Sequence, residues 1–349
     1  MYEFETYAAC YKLLKEMFDV QPGESVCITY DTESSEEVAV ATAAAAVTLG
    51  AKPLTMKNAA PLGISKAADK DLPWDPMFGA LSRTDVWVEY NTKVLSNSQL
   101  FDDVLKTNKD IRYINLVGAG PSMMVRLIGR TDLKVLAEFN HKVTEATEKA
   151  KVIRMTSAGG TDISFSNVPG RIISCEDGSI GKGKAAMMVG QIYWTPDHET
   201  MNGTIVLEDF IHGFPNIDAP VICKVEKGII TDITGGKTAK AWSDWLHSFN
   251  DPGMFRIAHA TYGVHPNAVL GEDIDIVENE RIWGTTLWGF GNISDFLIPD
   301  IPEGMHAATH NDGLCPCSSV YLDGVPFFEN GVVVGPTDEI VELAHKLGK

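Results

Sequence analysis

The sequence predicts an α/β N-terminal half built on a parallel-type sheet, followed by a β-rich α+β C-terminal half. Three observations carry this reading. A strand–helix–strand rhythm opens the chain, with Val26 to Tyr30 as a buried strand, Glu36 to Leu49 as an Ala-rich helix and Pro53 to Met56 as a second strand. The texture then changes near residues 148–152, where short strands and glycine turns replace the helical pattern. Finally, 349 residues with 44% hydrophobic content are enough for two domains with real cores. The expected division is 1–150 and 151–349.

Residues 4–19 place Phe4, Ala8, Tyr11, Leu14 and Phe18 on one stripe, the spacing of an amphipathic helix. Gln21-Pro22-Gly23 breaks it. Asp31 to Ser35 offers an N-cap to the Ala-rich helix, which stops at Gly50. Residues 85–90 and 111–117 read as further strands, with Ser98 to Thr107 helical between them. The first strand ends in Tyr30-Asp31-Thr32-Glu33-Ser34-Ser35, acidic and glycine-free, which argues against a dinucleotide-binding turn. One long helix is expected from Ser122 to about Ala150. Beyond it, 152–156 and 161–165 read as a hairpin around Ala158-Gly159-Gly160. Strands follow at 203–207, 221–226 and 229–233, and a helix at 239–249.

A net charge of −18 and a pI near 4.9 argue against a nucleic-acid partner. The acidity is spread along the chain and reads as solubility. Six cysteines include only one close pair, Cys315-Pro316-Cys317, which is neither a redox C-x-x-C nor a complete zinc pattern. The N-terminus lacks a basic and apolar leader, and the longest apolar run, Val38 to Leu49, is too short to span a bilayer. A cytoplasmic, reducing location and no membrane partner are therefore expected.

The stretch richest in chemistry is Thr309-His310-Asn311-Asp312-Gly313. In a strand, residues i and i+2 share a face, so His310 and Asp312 would project together. His259, in Ile257-Ala258-His259-Ala260-Thr261-Tyr262, could add a second imidazole. Two His and one carboxylate suit non-haem Fe(II), and less specifically Zn, Mn or Co. The same spacing also arises by chance in strands that bind nothing. Two other segments are unusual for plain scaffold. Gly190-Gln191-Ile192-Tyr193-Trp194-Thr195-Pro196 sets a Gln among aromatics, and Gly284 to Asn292 interleaves glycines with Trp288 and Phe290.

Several motifs fall in a familiar order: Gly203-Thr204-Ile205-Val206, Val225-Glu226-Lys227-Gly228, Gly263-Val264-His265-Pro266-Asn267, Gly284-Thr285, Gly291-Asn292 and His310-Asn311-Asp312. By these the chain resembles the aminopeptidase T/S metallopeptidases and their relatives, the 2,5-dihydroxypyridine 5,6-dioxygenases. The resemblance to the aminopeptidases implies five ligands for two metals. At three of those positions this chain has Gln191, His259 and Leu287, so the two-metal design looks dismantled. The retained His259, His310 and Asp312 match the single-iron triad of the dioxygenase branch.

The resemblance implies one Fe(II) per chain, with Zn, Mn or Co as alternatives, and ring cleavage of a small hydroxylated pyridine or aromatic by O2. A metal-dependent aminopeptidase- or amidase-like hydrolase is the runner-up. Pocket walls would come from Gln191, Tyr193, Trp194, Trp288 and Phe290, with Asn97 contributed by the N-terminal half. Tyr262, His265 and His306 are the acid/base candidates, and Asn311 and Thr309 would orient the ligands. A homo-oligomer is expected on the same ground.

Overall fold

The computed structural model describes residues 2–96, 98–214, 216–270 and 276–349. Its chain forms two compact units. Of the described residues, 2–133, 178–189 and 276–278 make up the first, and 134–177, 190–270 and 279–349 the second.

In the first unit, β1 (Ser25–Asp31), β2 (Lys52–Asn58), β3 (Val86–Glu89) and β4 (Arg112–Asn115) pair in parallel, in the order β2-β1-β3-β4. A two-residue strand, Ala185–Ala186, extends the sheet beside β4. The centre of the sheet is buried on both faces, which is why β1 and β3 read as continuous apolar runs. The Ala-rich helix spans Glu36–Thr48, and the helix Gln99–Thr107 is capped by Ser98, whose Oγ accepts the Phe101 N–H. A 3₁₀ segment, Ser65–Asp71, and a helix, Trp74–Leu81, complete the stretch between β2 and β3.

The single long helix expected from Ser122 is broken in two. A turn at Pro121–Met123 widens into a π-helix, Met124–Gly129, and helix restarts at Leu133–Lys149. Gly129 and the bond from Thr131 Oγ1 to the Arg126 carbonyl end the first piece.

Among the described residues, the second unit holds two antiparallel sheets. One has eight strands and contains the hairpins Val152–Thr156/Asp162–Ser166 and Val221–Glu226/Ile229–Thr234. The other has six: β5 (Ser174–Glu176), β6 (Gln191–Trp194), β7 (Phe210–Ile211), β8 (Ile257–Gly263), β9 (Thr285–Gly291) and β10 (His310–Cys315), in the order β7-β10-β9-β8-β6-β5. One face of this sheet sends Ile192, Trp194, Ala260, Tyr262, Trp288, Phe290 and Cys315 into the main core of the unit. The opposite face carries polar side chains, and there the site is built. No helix among the described residues is long and apolar enough to cross a membrane.

Candidate metal centre

β8, β9 and β10 lie side by side, with His259 opposite Gly289 and Gly289 opposite Asp312. His310 sits two residues before Asp312, on the same face. Alternation with core-facing Ala260 and Tyr262 puts His259 and Thr261 on that face too. Ile257 and Ala260 both face the core although they are three apart, which a regular strand forbids. A bulge between Ile257 and His259 absorbs the odd step, so that Ile257 also faces the core while the imidazole keeps the site face. Gly289 leaves room for it, because a Cβ at that position would stand 2.4 Å from His259 Nε2.

Three donor atoms thereby meet. His259 Nε2 lies 3.2 Å from His310 Nε2 and 3.4 Å from Asp312 Oδ1, and His310 Nε2 lies 3.3 Å from the same oxygen. A metal with bonds of about 2.1 Å needs donors about 3.0 Å apart on an octahedral face and about 3.4 Å apart in a tetrahedron. This triangle fits both. The other ring nitrogens are already held, His259 Nδ1 against Thr261 Oγ1 at 2.9 Å and His310 Nδ1 against the Asn292 carbonyl at 2.8 Å. Such outer bonds fix the tautomer that leaves Nε2 free for a metal.

Electrostatics separate the two imidazoles. Burial pushes His259 down to about 4, with Asp312 opposing and His310 adding to the shift. Burial acts the same way on His310, but the Asp312 charge and hydrogen bond, with the Asn292 carbonyl, outweigh it and raise that ring to about 9. Asp312 is held below the usual carboxylate range, since the nearby imidazoles more than offset its burial.

Of the pocket residues expected from sequence, Tyr193 and Gln191 share the site face. The Tyr193 ring lies 5.9 Å from that of His259 and meets Phe296 edge-on. Gln191 is buried two residues along the same strand. Trp194, Trp288 and Phe290 do not line the site. They alternate onto the other face and pack in the core with Phe165 and Trp242. Tyr262 goes with them, ring to ring with Trp194 and Phe327, and is not available as an acid or base. His265 is buried where Gly190 allows close approach, and its Nδ1 accepts the Asn267 N–H. His306 is exposed and faces Asp295. Asn311 is turned to the core side, where its Oδ1 accepts the Trp242 indole N–H, so the two imidazoles are oriented by Thr261 and Asn292 rather than by Asn311. The Thr309 carbonyl takes the Asn292 N–H. Asn97 lies outside the described residues.

Sequence reading missed Glu280 and Arg281. They follow the short helix Ile276–Asn279 and are both buried. Gln191 Nε2 donates to Glu280 at 3.1 Å, Arg281 donates to Gln191 Oε1 at 3.0 Å, and Arg281 also donates to Glu280 at 3.2 Å. Burial, then the Asp312 charge, push the Glu280 carboxyl up to about 7, against the pull of Arg281 and His310. The only sequence signal was a Glu-Arg pair set between Val277 and Ile282-Trp283.

A triangle of donors that could hold a metal ion narrows the comparison with known proteins. A family model for 2,5-dihydroxypyridine 5,6-dioxygenase (NicX) matches residues 6–335. The chain belongs to this family. A curated 2,5-dihydroxypyridine 5,6-dioxygenase from Pseudomonas putida KT2440 is 35% identical over 82 residues, an alignment spanning 23% of each protein. The solved structure of 2,5-dihydroxypyridine dioxygenase from Pseudomonas putida KT2440 superposes with a TM-score of 0.76 at 22% identity, covering 96% of this chain and 98% of that one. Wild-type AmpT from Thermus thermophilus gives 0.68 at 13% identity, covering 96% and 100%. Both share the fold of this chain.

Proposed function

We propose that this family member is a mononuclear non-haem Fe(II) dioxygenase that cleaves the ring of a small hydroxylated pyridine or related aromatic, with O2 as co-substrate. The observation that carries the reading is the triangle of His259, His310 and Asp312, three donors at bonding separation with their other nitrogens tied back. Fe(II) held there would supply open positions where a ring hydroxyl and O2 bind together and exchange electron density. The remaining work belongs to the chain. Thr261 and the Asn292 carbonyl keep both Nε2 atoms turned toward the metal position. Tyr193 offers a flat wall beside His259. The segment 292–306 lies over that wall, with Ile293, Leu297 and Ile298 packed against Tyr193 and Ala258 to exclude water. Arg171 to Asp300 and Arg256 to the Met305 carbonyl pin it. The second, β-rich unit is thus the catalytic one.

A two-metal hydrolase is the weaker reading. Its further donors would be needed at Gln191 and Leu287, but the Gln191 amide is engaged by Glu280 and Arg281, and Leu287 offers no donor. We also propose a homo-oligomer, which light scattering tests, and a reducing cytoplasmic location, in keeping with six free cysteines.

The first experiment is elemental analysis of protein purified without oxygen, paired with oxygen uptake on 2,5-dihydroxypyridine. About one iron per chain and uptake of one O2 per ring are expected, both lost in His259→Ala. Two zincs per chain and turnover without oxygen would overturn the reading in favour of the hydrolase.

A further inference from the structure

The stretch of β8 that leads into His259 is only loosely held by its neighbouring strands. On the β6 side the pairing ends at Ala260 opposite Trp194, one residue short of His259. On the β9 side it passes from Ile257 to His259 and skips Ala258. Ala258, immediately before His259, therefore has no partner in either ladder. Two side chains from the segment after β6 stand where a strand is missing. Thr195 Oγ1 donates to the Ala258 carbonyl at 2.7 Å, and His198 Nε2 donates to the Ile257 carbonyl at 2.7 Å. Thr195 and Ala258 are both buried. Thr195 is fixed in turn, since the proline after it restricts its backbone and Arg171 donates to the Pro196 carbonyl at 2.9 Å.

We infer that Thr195 is a positioning residue for the metal, setting the direction in which the His259 side chain leaves the strand, with His198 steadying the peptide before it. This role rests on the metal centre proposed above and names what aims one of its donors. The Ala258 carbonyl and the His259 N–H belong to one planar peptide. If that plane turns, ψ of Ala258 and φ of His259 change, and the His259 Cβ swings with them. The bond from the Thr195 hydroxyl resists the turn. Thr261 cannot do this work, because its contact with Nδ1 fixes the rotation of the ring and not the point from which the ring starts. His310 and Asp312 need no such device, since β10 runs against β9 without a break from His310 to Cys315. A ligating atom has to be held within about 0.5 Å of its working position, so the irregular strand is the one that calls for an added anchor.

The test is the affinity of the full chain for Co(II), read by competition with a chelator, together with the visible spectrum of the bound ion and the melting temperature of the metal-free protein. Thr195→Val keeps the branched shape and removes the hydroxyl. Its Co(II) affinity should fall about tenfold to a hundredfold, the range for groups that orient a metal ligand, and the spectrum should change as His259 is displaced. Thr195→Ser keeps the hydroxyl and should restore both. A merely structural role would lower the melting temperature and leave the affinity and spectrum of the folded Val variant as in the wild type, and that result overturns the inference. Thr195→Ala leaves space for a water at the carbonyl and serves if the Val variant does not fold. The same loss is expected there, because a mobile water does not fix the peptide plane, and wild-type affinity in the Ala variant overturns the role of Thr195 while the metal centre stands. A wild type that binds no Co(II), or binds it as tightly after His259→Ala, overturns the metal centre, and the inference with it.

Discussion

His259 and His310 stack at 5.0 Å yet sit on opposite sides of neutral pH in their affinity for a proton. His259, pushed down to about 4, is already a neutral donor. His310, raised to about 9, carries a proton at pH 7 that a metal must displace. Metal uptake at pH 7 should therefore release close to one proton per chain, and apparent affinity should rise about tenfold per pH unit until it levels near pH 9. Calorimetry in buffers of different ionisation enthalpy measures the proton count, and a count of zero would show that Asp312 does not hold the proton on His310. At this scale the pair His310 and Asp312 was legible, because a two-residue spacing in a strand fixes a common face. Glu280 was not, because burial in an irregular segment leaves no periodic trace.

At the scale of the strand, β9 explains both a success and a failure of the sequence reading. All seven of its residues are buried, so its hydrophobicity has no period-2 component and does not say which face meets the core. Trp288 and Phe290 looked like pocket walls for that reason. The informative signal was the complementary one: Gly289 and Gly291 share the face that His259 and His310 approach. In Gly289→Ala the new methyl would meet His259 Nε2, so metal affinity should fall at least tenfold while the melting temperature changes little. Trp288→Ala should do the reverse. A buried Trp replaced by Ala costs about 3–5 kcal/mol, seen in denaturant unfolding, and its main effect should be on stability rather than on substrate affinity. The hairpins and the parallel β1–β4 rhythm were legible because turn residues punctuate them. The break in the helix after Gly129 was not, because apolar spacing continues across it.

Across the whole molecule, the first unit carries its own pH dependence. Glu89, at the end of β3, is fully buried and its carboxyl is pushed up to about 7 by burial, despite the Leu95 N–H and Tyr113 hydroxyl that it accepts. Between an unfolded value of 4.5 and about 7, the folded chain holds a proton that the unfolded chain has released. This contribution to stability is therefore full below pH 4.5 and is lost as pH rises through about 7. Glu89→Gln removes the dependence. Its gain over wild type should be negligible near pH 4.5 and reach at most about 3 kcal/mol above pH 7, as read by denaturant midpoints across that range. An equal gain at both ends would show that the carboxyl is not responsible.

The strands that carry the three candidate donors, β8 and β10, are each paired to β9 in the sheet ladder. A site so prepared adapts little to whichever ion arrives, and nitrogen and oxygen donors bind copper, nickel and zinc more tightly than ferrous iron. On the iron reading proposed above, which ion fills the centre would then depend on supply as much as on the protein. Protein expressed in zinc-rich medium should emerge mismetallated and silent toward oxygen, and chelation followed by anaerobic iron should revive it without refolding.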